Sequence, residues 1–422
     1  MCATINLERL QSRLFALAEI GYNADTGGMR RFSYTDVDNE AYLFVKKSFE
    51  AAGLKVQFDA IGNMYGIKKG NTDRIILLAS HIDSVPDGGK YDGPLGVLSA
   101  LEVIQTIIEQ NLTTEHTLVV GVFRDEEGTR FNSGLIGSQY AAQVLPDETY
   151  TFADDAGITL KAAIENCSLK DTKYQLPLNL IDTYLELHIE QGKVLEEQNA
   201  PVGVVSGIVG IQTQEITITG MAEHAGATPM NMRNDALVGA ANCIAAFEKL
   251  AHKLGNCVVT VGKITSLPNG SNVIPEKVTF SVDFRSIAPN ILTTLQHNIA
   301  TLTQRICKPR DLKYDIQTFH KAPHILCNEN IMAAIKAACE KNDLPTITLT
   351  SGAGHDAMNF AGIGIPTGMI FVRSVAGISH NPNEFTTLED ILAGAQVMLD
   401  SVLKIDTLSD ITTNNKLNIN DK

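Results

Sequence analysis

The chain has 422 residues, 44% hydrophobic and 19% charged, with a formal net charge of -14 and a mean hydropathy of +0.02. At roughly 150 residues per domain this length suggests two or three domains, of which we take two. The acidity argues against nucleic acid or an anionic membrane surface as a partner, because phosphate groups select clustered Lys and Arg, and no apolar run reaches the ~18 residues of a membrane span. Seven cysteines, at 2, 167, 243, 257, 307, 327 and 339, are scattered without a C-x-x-C spacing. The N-terminus has leucines at helical spacing and lacks a basic leader followed by an apolar segment. Both features place the protein in the cytoplasm with reduced, structural thiols.

Taken in chain order, residues 36–53 read as a helix capped at Gly53, and residues 54–65 as a hairpin turning at Gly62-Asn63. The apolar run 74–79, RIILLA, reads as a buried strand of a parallel sheet, followed by the loop SHIDSVPDGGKYDGPLG. A helix over 95–110, with Leu98, Leu101, Ile104 and Ile108 on one face, leads to a second apolar strand at 118–123. This βαβ unit makes the two strands parallel and brings Arg124, Asp125, Glu126 and Glu127 beside His81 and Asp92. A third strand at 183–189 carries His188 at its end and runs into Glu190, Gln191 and Gly192.

From about residue 211 the order becomes β-α-β-β-α-β, with strands at 214–219, 257–265, 277–285 and 312–319 and helices at 235–254 and 290–307. That order is ferredoxin-like, and reads as a separate domain inserted into the first. After residue 322 the α/β pattern returns: a helix near 330–342, a strand at 346–349, the loop SGAGHDA, a strand at 367–372 and His380 in the loop beyond it. Thr387 and Asp390 have capping-box spacing for a last helix running to about residue 403, and the polar tail 412–422 reads as mobile.

His81, Asp92, Glu127, His188 and His380 thus each follow a strand of one domain, in the position where open α/β sheets build ligand sites. Two divalent ions can share this set, one held by His81 and His188, the other by Glu127 and His380, with Asp92 bridging. Imidazole and carboxylate donors fit Zn or Mn, and the absence of thiolates points to a catalytic centre with open positions. Glu126 is placed to take a proton from water and pass it to a leaving nitrogen. The competing view of residues 125–127 as a solvated acidic turn is outweighed by the neighbouring histidines. Asp83 reads either as a turn residue or as the acceptor for the other ring N–H of His81.

The segments SHIDSVPDGGKYDGPLG, FRDEEGTRFNSGLIGS, ELHIEQG, HAGATPM, NVIP, DFRS, SGAGHDA and GISHNPNE together resemble the M20 family of metal-dependent amidohydrolases. The resemblance is to the branch of N-carbamoyl-L-amino-acid hydrolases, β-ureidopropionases and allantoate amidohydrolases, and it covers nearly the whole chain. It implies an α/β, bimetal aminopeptidase-like catalytic domain (residues 1–210 and 323–422) with an inserted ferredoxin-like α+β lid and dimerisation domain (residues 211–322). It further implies a homodimer with two divalent ions per subunit, hydrolysing the carbamoyl or ureido C–N bond of a small carboxylate substrate with release of ammonia and carbon dioxide.

By the same resemblance His81, Asp92, Glu127, His188 and His380 are ligands and Glu126 the acid/base. His224, in EHAGATP, stabilises the oxyanion of the partner subunit's site, and Arg285 clamps the substrate carboxylate with its planar fork. Gln191 and Asn272 resemble polar substrate contacts, against the plainer readings of a loop glutamine and a turn asparagine ahead of Pro275. His355 and Asp356 shape the pocket. The alternatives are a dipeptidase or aminoacylase of the M20 type and a non-catalytic binding protein on the same fold. In peptidases of the superfamily the counterpart of His188 is a carboxylate and the gap is longer than the 11 residues from His81 to Asp92. A binding protein would be expected to have lost a ligand or Glu126. Allantoate and N-carbamoyl amino acids both offer a carboxylate and a ureido group, so the substrate stays open between them.

Overall fold

The structure, a computed structural model, describes residues 3–408, so Cys2 and the polar tail at 412–422 lie outside the described residues. In chain order its strands are β1 (Lys55–Phe58), β2 (Met64–Lys68), β3 (Ile75–His81), β4 (Thr117–Phe123), β5 (Ile181–Ile189), β6 (Val202–Ile208), β7 (Gly210–Thr219), β8 (Cys257–Thr260), β9 (Ile264–Leu267), β10 (Lys277–Ser286), β11 (Lys313–Ala322), β12 (Ile325–Leu326), β13 (Ile347–Ser351) and β14 (Thr367–Val372). The chain divides into two compact units, Met1–Ser206 with Leu326–Lys422, and Gly207–Ile325.

The first unit is built on a sheet of order β1-β2-β4-β3-β5-β14-β6-β12, with β13 also paired to β6. The central strands β4, β3, β5 and β14 are mutually parallel, and β1, β2 and β6 add antiparallel pairings at the flanks. Every residue of β3, β4 and β14 is buried, as expected of strands covered on both faces. Register aligns their carboxyl ends: His81 lies opposite Phe123, and His188 opposite Phe371. The histidine and carboxylate loops therefore leave one edge of the sheet together, as the βαβ pattern predicts.

On one face Leu78, Val120, Leu187 and Ile370 pack with the helices Leu7–Glu19, Pro94–Glu109, Glu329–Lys341 and Leu388–Ile405. The helix Pro94–Glu109 departs from the one-faced pattern expected of it, because almost all its side chains are buried, Glu102 and Thr106 included. It lies between the sheet and the first helix, whose Arg9 reaches Glu102 at 2.8 and 2.7 Å. Thr387 caps the last helix by accepting from Asp390 N, but the Asp390 carboxylate pairs with Arg373 at 3.0 Å instead of completing the reciprocal box.

The second unit has the antiparallel order β11-β7-β10-β8, with β9 also on β10. Val278, Phe280, Val282 and Phe284 point from β10 into a core closed by helices Ala236–Leu254 and Pro289–Cys307. The single strand expected over 257–265 is two pieces. Thr260 pairs with Asp283 and Ile264 with Phe280, so three residues oppose two and a bulge interrupts the ladder. The sequence reading also passed over β6, an apolar run that adds to the flank of the first sheet.

Candidate metal centre

His81 ends β3, His188 is the penultimate residue of β5, and Asp92, Glu127 and His380 come from loops at the same sheet edge. Among the described residues the nitrogen and oxygen atoms of His81, Asp92 and His188 form one group within 4.8 Å of one another, and those of Asp92, Glu127 and His380 form another. Asp92 belongs to both. Its Oδ1 lies 3.5 Å from His81 Nε2 and 3.2 Å from His188 Nε2, and its Oδ2 lies 3.5 Å from His380 Nε2. His380 Nε2 is also 3.4 Å from the Glu127 carboxylate. Gly93, at φ +80, has no room for a side chain, because a Cβ there would sit 2.5 Å from the His81 ring. Glycine at that position is thus required by both conformation and space.

The neighbours fix which atoms face inward. His188 Nδ1 sits 3.0 Å from Ile189 O, which leaves Nε2 for Asp92. The Asp83 carboxylate lies 3.5 Å from His81 Nδ1 and accepts the backbone N–H groups of Glu126 at 3.2 Å and Glu127 at 3.1 Å. One carboxylate therefore ties the His81 ring to the turn bearing the acidic pair, as metal-site partners commonly do. Asp125, at φ +58, and His380, at φ +53, both adopt the left-handed conformation, a strain typical of functional sites. The acidic run is no solvated turn: Asp125 is 1% exposed, and Glu126 lies 3.8 Å from His81 Nε2.

The electrostatics fit a pair of cations. Burial opposes charge on His81, yet Glu126, Asp83 and Asp92 outweigh it and hold the ring well above the usual histidine range. Burial likewise works against ionised Asp92, but His188 and His81 pull it well below the usual carboxylate range. Glu126 and Glu127 are pushed well above that range, by burial first and then by neighbouring carboxylates. His81 Nε2 is buried without a hydrogen-bond partner among the described residues. Converging, partly orphaned donors and a surplus of buried carboxylates are what a divalent ion neutralises.

The model of peptidase family M20/M25/M40 matches residues 77–404. The chain belongs to that family. It is 41% identical to an N-carbamoyl-L-amino acid amidohydrolase of Geobacillus stearothermophilus, covering 94% of this chain and 98% of the relative. It is 35% identical to an allantoate amidohydrolase of Escherichia coli, covering 89% and 93%. A crystal structure of an amidase of the hydantoinase/carbamoylase family from Burkholderia multivorans superposes with a TM-score of 0.90 at 32% identity, covering 95% of this chain and 98% of that one. M20 proteins generally depend on two metal ions, in keeping with the two ligand groups that share Asp92.

The remaining residues singled out in the sequence divide between the units. Gln191 adjoins the candidate metal centre, where its Nε2 donates to Asp92 Oδ2 at 2.8 Å. His224, Asn272 and Arg285 lie in the second unit. There His224 pairs with Val273 across an isolated bridge, and Ala225 N donates to Asn272 O at 3.0 Å. His224 Nδ1 accepts from Gly226 N and Ala227 N at 3.1 and 3.2 Å, which puts the proton of the neutral ring on Nε2. Arg285 is held by Asp283 two residues earlier on β10, its Nε donating at 2.7 Å.

Three residues escaped the sequence reading. Glu186, fully buried on β5, accepts from Ser80, Tyr184 and Ala357 N and groups with His188 and His355. A carboxylate two residues before His188 within an apolar strand was the available signal. Ser379 donates to Asp92 Oδ2 at 2.7 Å, and Glu384 accepts from the backbone of the Asp92 loop. Neither carries a mark in the sequence beyond its closeness to His380.

Proposed function

We propose that this M20 protein hydrolyses the carbamoyl or ureido C–N bond of a small carboxylate, an N-carbamoyl-L-amino acid or allantoate, giving an amine, carbon dioxide and ammonia. The observation that carries this reading is the sharing of Asp92 between two ligand groups with Glu126 beside them. His81, His188 and Asp92 would hold one ion, and Asp92, Glu127 and His380 the other. The donor set, imidazole and carboxylate without thiolate, favours Zn or Mn. When bound, such ions polarise a carbonyl and lower the pKa of water to about 7.

Glu126 takes the proton of the attacking water and delivers it to the departing nitrogen, a role supported by a carboxyl whose proton affinity is raised by its surroundings. Arg285 clamps the substrate carboxylate, with Asp283 steadying its guanidinium. Gln191 and Asn272 supply polar contacts to the substrate. His224 offers its Nε2–H to the developing oxyanion, acting from the partner subunit of a homodimer whose second unit serves as lid and dimerisation domain. The six described cysteines are free, which is consistent with a cytoplasmic setting.

The test is ammonia release by protein reconstituted with Mn or Zn, comparing allantoate, a panel of N-carbamoyl-L-amino acids and N-carbamoyl-β-alanine, with dipeptides as control. Preference for one ureido compound supports the reading and identifies the substrate. Turnover of dipeptides alone, giving free amino acids without ammonia, would overturn it in favour of a peptidase.

A further inference from the structure

Asp92 sits in a loop, eleven residues beyond His81, where the sheet does not fix it. Its task is directional, since one carboxylate oxygen faces His81 and His188 while the other faces His380. Glu384 supplies the missing restraint. Its side chain is 3% exposed, and one oxygen, Oε1, accepts both Tyr91 N at 2.8 Å and Asp92 N at 3.1 Å. Adjacent amides gathered on one oxygen fix the peptide planes from which the Asp92 side chain springs.

The approach is possible only because residue 89 is glycine: a Cβ there would lie 2.0 Å from the Glu384 carboxyl carbon. The same segment also holds Asp92 by its side chain, through Ser379 on Oδ2 at 2.7 Å, and it carries His380. One loop thus presents a ligand of the second group and clamps the residue shared with the first.

We propose that Glu384, itself no ligand, is the positioning residue that aims Asp92 at both ions, so that both ion positions depend on its clasp on the Tyr91 and Asp92 amides, for which Gly89 leaves room. The inference rests on the reading that Asp92 bridges two ions. Carboxylates that orient ligands in this way typically account for 10- to 100-fold in metal affinity.

The test measures Zn affinity of metal-free protein by competition with a chromophoric chelator, with thermal unfolding of each metal-free variant in parallel. Glu384→Ala is expected to weaken binding of two ions by about 10- to 100-fold. Gly89→Ala, which drives the carboxylate away, is expected to do the same, whereas Glu384→Gln keeps an acceptor oxygen for both amides and is expected to bind close to wild type. Wild-type affinity in a folded Glu384→Ala or Gly89→Ala protein would overturn the proposal. If Glu384→Ala does not fold, Glu384→Gln still decides, because weak binding by that folded variant would mean that charge, not the backbone clasp, is what counts. Fewer than two ions on the wild-type protein would instead overturn the two-ion reading, a failure visible before any substitution is made.

Discussion

Replacing Glu126 by Gln separates chemistry from architecture at this site. The side chain is 11% exposed and lies 3.8 Å from His81 Nε2, and burial together with Glu127, Asp356 and Asp83 drives its carboxyl toward the protonated form, against the pull of His81. A neutral amide of the same shape resembles that protonated form, so the metal-free fold is expected to survive with an unfolding temperature no lower than wild type. Both ions are expected to remain, because none of the groups that share Asp92 includes Glu126. What the amide cannot do is accept the water's proton. Positioned acid–base groups contribute roughly 10²- to 10⁴-fold, equivalent to about 3 to 5 kcal/mol of barrier at 1.36 kcal/mol per decade. The assay is ammonia release at saturating substrate, with metal content measured on the same preparation. Turnover within tenfold of wild type, with two ions bound, would refute the assignment.

Other substitutions test the remaining roles. His188→Ala removes a buried ring from the first ligand group and is expected to lower metal occupancy; full retention of two ions by elemental analysis would exclude it as a ligand. Arg285→Lys loses the planar fork and is expected to cut kcat/KM on carboxylate substrates by at least tenfold, roughly the cost of one charged hydrogen bond; an unaltered value means that the anion is held elsewhere. If His224 acts in trans, co-expressed Glu126→Gln and His224→Ala chains form mixed dimers with one intact site, so activity returns on mixing; no recovery over the separate variants points to action in cis. Asp59 is 1% exposed and is pushed up to about 6 by burial, although Asn63 and Tyr65 donate to it. Its folded form therefore keeps a proton that the unfolded chain releases near pH 4, and its contribution to stability is lost as pH rises through about 4 to 6, on the order of 2 to 3 kcal/mol. Asp59→Asn is expected to flatten that slope in denaturant unfolding at pH 4 and pH 7; equal slopes would show that the carboxyl is not held protonated.

The sequence by itself determined the parallel centre of the sheet and the ligand-bearing edge. The runs at 75–79 and 118–123 are apolar throughout, and a right-handed crossover leaves the carboxyl ends of their strands no choice but to adjoin. It also supplied the candidate donors, because His81, Asp92, Glu127, His188 and His380 are imidazoles and carboxylates that follow predicted strands. The β-α-β-β-α-β order of the second unit was legible from alternation, with Val278, Phe280, Val282 and Phe284 facing its helices. The bulge between β8 and β9 was not, since an extra residue shows in sequence only as a change of phase, and neither CVVT nor ITSL alternates cleanly enough to reveal one.

What only the tertiary structure decided is how the ligands are aimed. Glu384 acts on the backbone amides of Tyr91 and Asp92, 293 and 292 positions away, and Asp83 acts on those of Glu126 and Glu127, 43 and 44 away. Every residue but proline offers the same amide, so neither contact leaves a trace in side-chain identity or spacing. The sequence states which atoms can bind a cation; the direction in which they point is set by contacts that become visible only when distant loops meet.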